Sequence, residues 1–209
     1  MNAVTLTGQY VTVEPLDANL HGKALWEGIS GSANDELWRY LPDGPFAGQA
    51  DFERDMETKT ASKDPLFHAI VDNISRRAVG RASFMRIEPK HRCLEVGSIL
   101  YSPALQRTRG ATEAMYLMAR HVFETLGYRR YEWKCNALNE PSRRAALRLG
   151  FAFEGIFRQH MIVKGQNRDT AWFSLLDHEW PRRKQALEAW LAPANFDANG
   201  AQIRPLAEL

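Results

Sequence analysis

The chain's first clear pattern is "YVTVEPLD". Its apolar and polar positions alternate with period two until Pro15, which predicts a strand ending in a turn. From Ala18 to Ile29 the period changes: Leu20, Ala24, Leu25 and Trp26 recur at helical spacing. "SGSANDELWRYLPDGPFAGQ" follows as a loop-rich region bearing Trp38, Tyr40 and Phe46, and Gln49 to Ala61 reads as a charged amphipathic helix. "LFHAIVD" and "AVGRASFMRIE" predict two strands joined by a short turn near "NISRR". "CLEVGSILY" predicts a further strand, closed by Pro103.

The firmest helical pattern runs from about Ala111 to Leu126. Ala111, Met115, Met118, Ala119, Val122 and Leu126 repeat at three-and-four spacing, which predicts one buried stripe, and Gly127 stands where a left-handed C-terminal residue belongs. "YRRYEWKC" predicts another strand. In "NEPSRRAALRLG" a short helix is expected: Asn139 can cap it, Pro141 fits its first turn and Gly150 ends it. "FAFEGIFRQHMIVKG" and "RDTAWFSLLD" predict a closing hairpin around "GQN", and "WPRRKQALEAWLA" a last helix. One mixed α/β domain over residues 1–192 accounts for this order, with a polar, partly disordered C-terminal tail over 193–209. The long helix makes a crossover, so the "CLEVGSILY" and "YRRYEWKC" strands can lie parallel. Their C-terminal ends would then flank two helix starts, the edge where ligands of such sheets bind.

Composition narrows the class. A chain of 209 residues, 44% apolar and 25% charged, can bury a substantial core, and its length favours one domain. A formal charge of +2 is too weak to imply non-specific nucleic-acid binding, and the basic runs "QRTR" and "PSRRAALR" lack interleaved aromatic residues for base stacking. Cys93 and Cys135 are too few for a disulfide framework, and no CxxC or Cys/His cluster suggests zinc. The start "MNAVTLTGQYVTVEPLD" has no signal-peptide pattern, and no apolar run approaches the roughly 18 residues of a membrane span. The expectation is a cytoplasmic protein without a metal or a membrane partner.

Candidate chemistry gathers in "LQRTRGATEA". A strand entering a helix through a short loop leaves backbone N–H groups unpaired at the positive end of the helix dipole. Arg107 and Arg109 add full charges, and Gly110 permits close approach by an anion, so these are the parts of a phosphate or pyrophosphate cradle. The alternative is a solvated basic loop capped by Thr108.

The same stretch resembles the signature Q/R-x-x-G-x-G/A of the GNAT superfamily of acyl-CoA-dependent N-acetyltransferases. Gln106, Arg109 and Ala111 fall on its first, fourth and sixth positions, with arginine in place of the usual glycine and Gly110 one place later. The family's next helix carries N-x-x-[S/A] with Gly-Phe beyond, matched by Asn139, Ser142, Gly150 and Phe151. From about Phe67 to Trp180 the chain is especially similar to Rim-type ribosomal-protein N-acetyltransferases.

The resemblance implies the single-domain GNAT fold: a mixed central sheet flanked by helices, with two splayed parallel strands at the coenzyme A site. It implies that amides of Gln106, Arg107, Thr108, Arg109, Gly110, Ala111 and Thr112 meet the CoA pyrophosphate. Pantetheine would bond backbone groups of Val96, Ser98 or Leu100, and Asn139 its amide. The implied reaction is direct attack of a primary amine on the thioester of acetyl-CoA. The tyrosine that many relatives carry seven residues after the asparagine is Ala146 here. Ser142, as in Rim-type relatives, becomes the candidate proton donor, with a mere helix-capping serine as the alternative. Glu95 is a candidate base unless alternation aims it at solvent, and His160 another unless it is a satisfied strand histidine; His68 is weaker. Trp38, Tyr40 and Phe46 would line the acceptor pocket or simply cover the core. Cys135 is read as an inert core thiol. The acceptor is either a protein N-terminus or a small-molecule amine. The alternative function is a non-catalytic acyl-CoA-binding or sensing protein, and since dimers are common among relatives a homodimer is open.

Overall fold

The computed structural model describes residues 2–209. The strands are β1 (Leu6–Thr7), β2 (Val11–Pro15), β3 (Leu66–Asp72), β4 (Ala78–Glu88), β5 (Cys93–Tyr101), β6 (Arg130–Asn136), β7 (Ala152–Val163) and β8 (Gln166–Leu176). They make one eight-stranded sheet in the order β1-β2-β3-β4-β5-β6-β8-β7, with β5 and β6 parallel and the other pairs antiparallel. The helices are α1 (Ala18–Ile29), α2 (Gln49–Ala61), α3 (Arg109–Arg120), α4 (Glu140–Arg148) and α5 (Trp180–Leu191).

Two cores lie on opposite faces of the sheet. Helices α1 and α2 close the smaller around Leu25, Phe52, Met56, Phe67 and Leu100. Helices α3, α4 and α5 close the larger around Val96, Met115, Tyr131, Trp133, Phe173 and Leu187. The crossover through α3 is what makes β5 and β6 parallel, as the element order predicts.

The structure differs from the sequence pattern at five places, each for a tertiary reason. β1 is too short to show a period; it forms because buried Glu113 on α3 accepts the N–H groups of Gln9, Tyr10 and Val11 at 2.7, 2.6 and 2.9 Å. Gly8 must be glycine there, since a Cβ would stand 2.4 Å from the Glu113 carboxyl carbon. Helix α3 begins at Arg109 instead of Ala111, and His121–Thr125 continue it as a π-turn before Gly127 stops it at φ 64°. Its buried surface is more than a stripe: Glu113, Ala114, Tyr116 and Leu117 are buried too, because β2, α5 and the tail enclose it. The hairpin turns at Lys164–Gly165, one step before "GQN", with φ of 50° and 72° matching the tight turn that twisted strands favour. The tail, expected to be partly disordered, folds back instead: Leu206 is buried, Phe196 packs on Trp190, and Asn195 bridges the carbonyls of Trp190 and Arg204.

Two histidines lie buried at the end of the larger core, His68 and His121, on either side of Phe84. Burial drives His68 down to about 4, helped by the field of His121. An unfolded histidine takes its proton near 6.5, so the unfolded chain binds more protons between about pH 6.5 and 4, and stability falls as pH drops through that window. The expected loss from His68 is on the order of 3 kcal/mol. Urea midpoints measured across this range should slope in the wild type and flatten in His68→Leu; parallel slopes would show that His68 carries none of the acid sensitivity.

Candidate active site

The site starts with a defect in pairing. β5 and β6 share a parallel register from Cys93↔Arg130 to Val96↔Trp133 and then part, although β5 runs on to Tyr101 and β6 to Asn136. The departure coincides with a bulge in β5. Gly97 and Leu100 face Ser83 and Arg81 of β4, so two residues of β5 oppose one of β4, and Ser98 takes a φ of 51°. Ser83 Oγ donates to the Gly97 carbonyl at 3.0 Å and Arg81 Nη1 to the Ser98 carbonyl at 3.3 Å. Arg81, itself buried, also pairs with Asp43. Beyond the fork, neither strand has the other as a partner.

At the mouth of this gap, β5 turns into α3. Thr108 caps the helix, its hydroxyl accepting the Ala111 N–H at 3.2 Å. The amides of Arg107, Arg109 and Gly110 make no hydrogen bond with the described chain, and Arg107 sits exposed at φ 60°. Gln106 reaches back to the Tyr101 carbonyl. Arg109 behaves differently from its neighbour: its guanidinium lies 4.4 Å from the Phe196 ring centroid and 5.1 Å from that of Tyr10, clamped under the tail. Buried Thr112 accepts from Arg148 at 3.1 Å. Gly110 is required for packing, since a Cβ would come within 2.8 Å of Val11 Cγ1. The loop therefore keeps unpaired amides and one free cation at the helix's positive end, the chemistry of a diphosphate site.

The far wall of the gap is the start of α4. Asn139 caps the helix by accepting the Ser142 N–H at 3.1 Å, which leaves its Nδ2 to donate elsewhere. Ser142 is not a capping serine: its hydroxyl oxygen accepts the Trp133 indole N–H at 3.0 Å. With a lone pair so occupied, the hydroxyl proton points away from Trp133, and the Cys135 thiol is one group it reaches. Burial pushes the Cys135 thiol up, so it stays protonated, as an inert core cysteine would.

On the sheet face opposite α3, alternation puts Glu95, Glu132, Lys134, Arg168, Thr170 and Trp172 together. Glu95 is buried, against the solvent-facing alternative; its Oε2 lies 3.0 Å from Lys134 Nζ and 3.1 Å from Arg86 Nε. Burial pushes Glu95 above the ordinary carboxylate range, opposed mainly by Lys134 and then by Arg86. Lys134 also pairs with Glu132 at 2.6 Å and stands 3.9 Å above the Trp172 ring. His160 Nδ1 lies 3.0 Å from Thr170 Oγ1, so it is a partnered strand histidine on this same face.

The loop after α1 roofs that face. Trp38 belongs to the smaller core, with Phe46 edge-on at 5.3 Å, so its ring covers the core. Its carbonyl accepts from Lys164 of the β7–β8 turn at 2.8 Å, and the Tyr40 hydroxyl donates to the Leu138 carbonyl at 3.1 Å. Sequence reading missed Arg81, Trp133, Lys134 and Lys164. Arg81 and Lys134 had a signal: each is a charge inside an otherwise apolar strand, which marks a buried ion.

Comparison with known proteins decides what this geometry belongs to. Residues 16–152 match the family model described as "Acetyltransferase (GNAT) domain", well over half the chain. The chain belongs to the GNAT acetyltransferase family. A GCN5-related N-acetyltransferase from Brucella melitensis has the same fold at a TM-score of 0.97, with 50% identity over 100% of this chain and 94% of that one. An uncharacterised N-acetyltransferase of Bacillus subtilis is 30% identical over 102 residues, 49% of this chain and 57% of its own length. The ribosomal-protein-serine acetyltransferase of Escherichia coli is 33% identical over 81 residues, 39% of this chain and 45% of its own length. The matches thus span about half the length of these curated relatives.

Gly110→Ala should lower stability by about 1–3 kcal/mol, the usual cost of an overpacked methyl. Val11→Ala in the same chain should recover part of that loss in a thermal melt. If the double variant melts lower than the sum of the single losses, the Val11 contact is not why glycine stands there.

Proposed function

We propose that this GNAT enzyme transfers the acetyl group of acetyl-CoA to a primary amine by direct attack within a ternary complex. The observation that carries this reading is the fork beyond Val96 and Trp133, which leaves two strands unpaired next to a helix start with free amides. In this reading the amides of Arg107, Arg109 and Gly110, the Arg107 guanidinium and the Gln106–Thr112 turn meet the diphosphate. Backbone groups of Val96, Ser98 and Leu100 and the Asn139 Nδ2 hold the pantetheine. Holding both reactants in line supplies much of the rate. A backbone N–H at the bulge beside Gly97 would meet the carbonyl oxygen as its charge grows.

Glu95 takes the proton from the ammonium form of the acceptor, and its burial suits it to this, because a carboxylate with a raised pKa is a stronger base. The amine nitrogen then bonds to the thioester carbon, the carbon–sulfur bond breaks, the sulfur leaves with the Ser142 proton, and the second proton of the nitrogen passes through water to restore the serine hydroxyl. The Trp133–Ser142 hydrogen bond supports that role. The acceptor is a protein N-terminus or a small-molecule amine. Among the described residues no α-helix packs on the face over β6, β8 and β7, which favours an acceptor approaching beside the loop that roofs it.

Thiol release from acetyl-CoA across peptide N-termini, polyamines and amino acids tests the reaction. With a responding acceptor, Ser142→Ala should lower kcat by about 10–100-fold at unchanged CoA affinity, as loss of a proton donor does. Because Glu95 must be ionised to act, kcat/KM should fall as pH drops through its pKa, at a pH above the ordinary 4.5, and Glu95→Gln should remove that limb along with most of the rate. An unchanged limb in Glu95→Gln would assign the base to another group or to water.

A further inference from the structure

Charges on the open face are almost completely paired. Glu95 meets Lys134 and Arg86, Glu132 meets Arg130 and Lys134, and Glu154 meets Arg130 while also accepting from Ser174. Asp43 at the roof meets Arg81 and Lys59. Arg168 is the exception. It is half-buried on β8, its Nε is shielded from solvent, and its guanidinium forms no hydrogen bond or ion pair among the described residues. Its neighbour Asp169 gives it nothing, since that carboxylate accepts from the Gln159 N–H at 2.7 Å and from Asn167 Nδ2 at 2.9 Å.

Position gives this lone cation a meaning. Arg168 precedes Thr170, the first β8 residue paired with β6, whose partner Asn136 ends β6, and so stands towards the open end of the fork. It shares its face with Thr170, Trp172 and Ser174, while Ala171, Phe173 and Leu175 go to the core. Arg168 lies within electrostatic range of Cys135, Glu95 and Arg86, and His160 of β7 feels Arg86, Arg168 and Lys134 of β6. A guanidinium kept partly out of water without a carboxylate is costly, and its planar fork binds a carboxylate through two parallel hydrogen bonds.

We propose that Arg168 is a receptor for the acceptor substrate: the amine acetylated here carries a carboxylate close to its reacting nitrogen, and that carboxylate pairs with the Arg168 guanidinium on the face that Glu95 shares. This rests on the acetyl-transfer reading above and names its substrate class. The carboxylate can come from a free amino acid or from an acidic residue next to a peptide N-terminus; the recognising chemistry is the same.

Two matched pairs of acceptors separate these sources: serine against serinamide, and Ser-Asp-Gly-amide against Ser-Asn-Gly-amide, each assayed by thiol release at saturating acetyl-CoA. The wild type should show a KM at least tenfold lower for the carboxylate member of one pair. Arg168→Met, which keeps the aliphatic stem, should erase that preference while leaving the KM values for the amide member and for acetyl-CoA within twofold, and Arg168→Lys should fall between. No preference in either pair, or an equal loss for both members, would overturn the proposal. So would weakened acetyl-CoA binding in Arg168→Met, which would assign the guanidinium to the nucleotide. If no acceptor releases thiol although acetyl-CoA binds, the transfer reading fails by itself. Calorimetric titration of the CoA complex with N-acetylserine and with Ser-Asp-Gly-amide then decides the Arg168 question. Binding lost in Arg168→Met supports the receptor, and its absence or persistence there rejects it.

Discussion

Strands β5 and β6 stop sharing hydrogen bonds after Val96 and Trp133, and the arrangement of the site depends on that break. Unpaired strand edges inside a sheet are unfavourable, so something must hold them apart. Here the holding groups come from β4: Ser83 and Arg81 take the carbonyls of Gly97 and Ser98, fixing the bulge that turns β5 away. Arg81 has a second partner in Asp43, so the same buried guanidinium ties the roof loop to the bulge. The bulge beside the gap and the loop above the charged face thereby share one cation.

Around the fork the two faces of the sheet divide the labour proposed for them. On the α3 side, helix starts bring polar groups to an otherwise apolar core: free amides at Arg107–Gly110, the Asn139 amide, and the Ser142 hydroxyl held by Trp133. On the other side lies a network of charges with little water, where burial raises the Glu95 pKa and Lys134 and Arg86 keep it from rising further. A proton donor on one face and a proton acceptor on the other is the arrangement that an attack through the sheet's opening needs. The tail packs against the start of α3, where Phe196 covers the side chain of Arg109, the residue that opens that helix.

Most elements were legible because their signals are local. The strands of "LFHAIVD" and "CLEVGSILY" and the Asn139 cap follow from period, punctuation and capping chemistry, and the structure has them where those rules put them. What the sequence hides depends on distant partners. β1 exists through the carboxylate of Glu113, about a hundred positions away, and the glycine at 110 answers to Val11. Alternation left two faces open to Glu95, and only the flanking strands decide that it is buried beside Lys134. Arg107 and Arg109 look equivalent in the chain; the folded tail captures one and leaves the other exposed. Phe196 and Leu206, two of the tail's four large apolar residues, were the overlooked local sign that it would pack.

A crystal structure with coenzyme A bound bears most directly on the fork. The pantetheine should lie between β5 and β6 beyond Val96 and Trp133, with its diphosphate on the amides of Arg107, Arg109 and Gly110. A complex in which β5 and β6 pair along their whole length, with the nucleotide held elsewhere, would contradict the central claim.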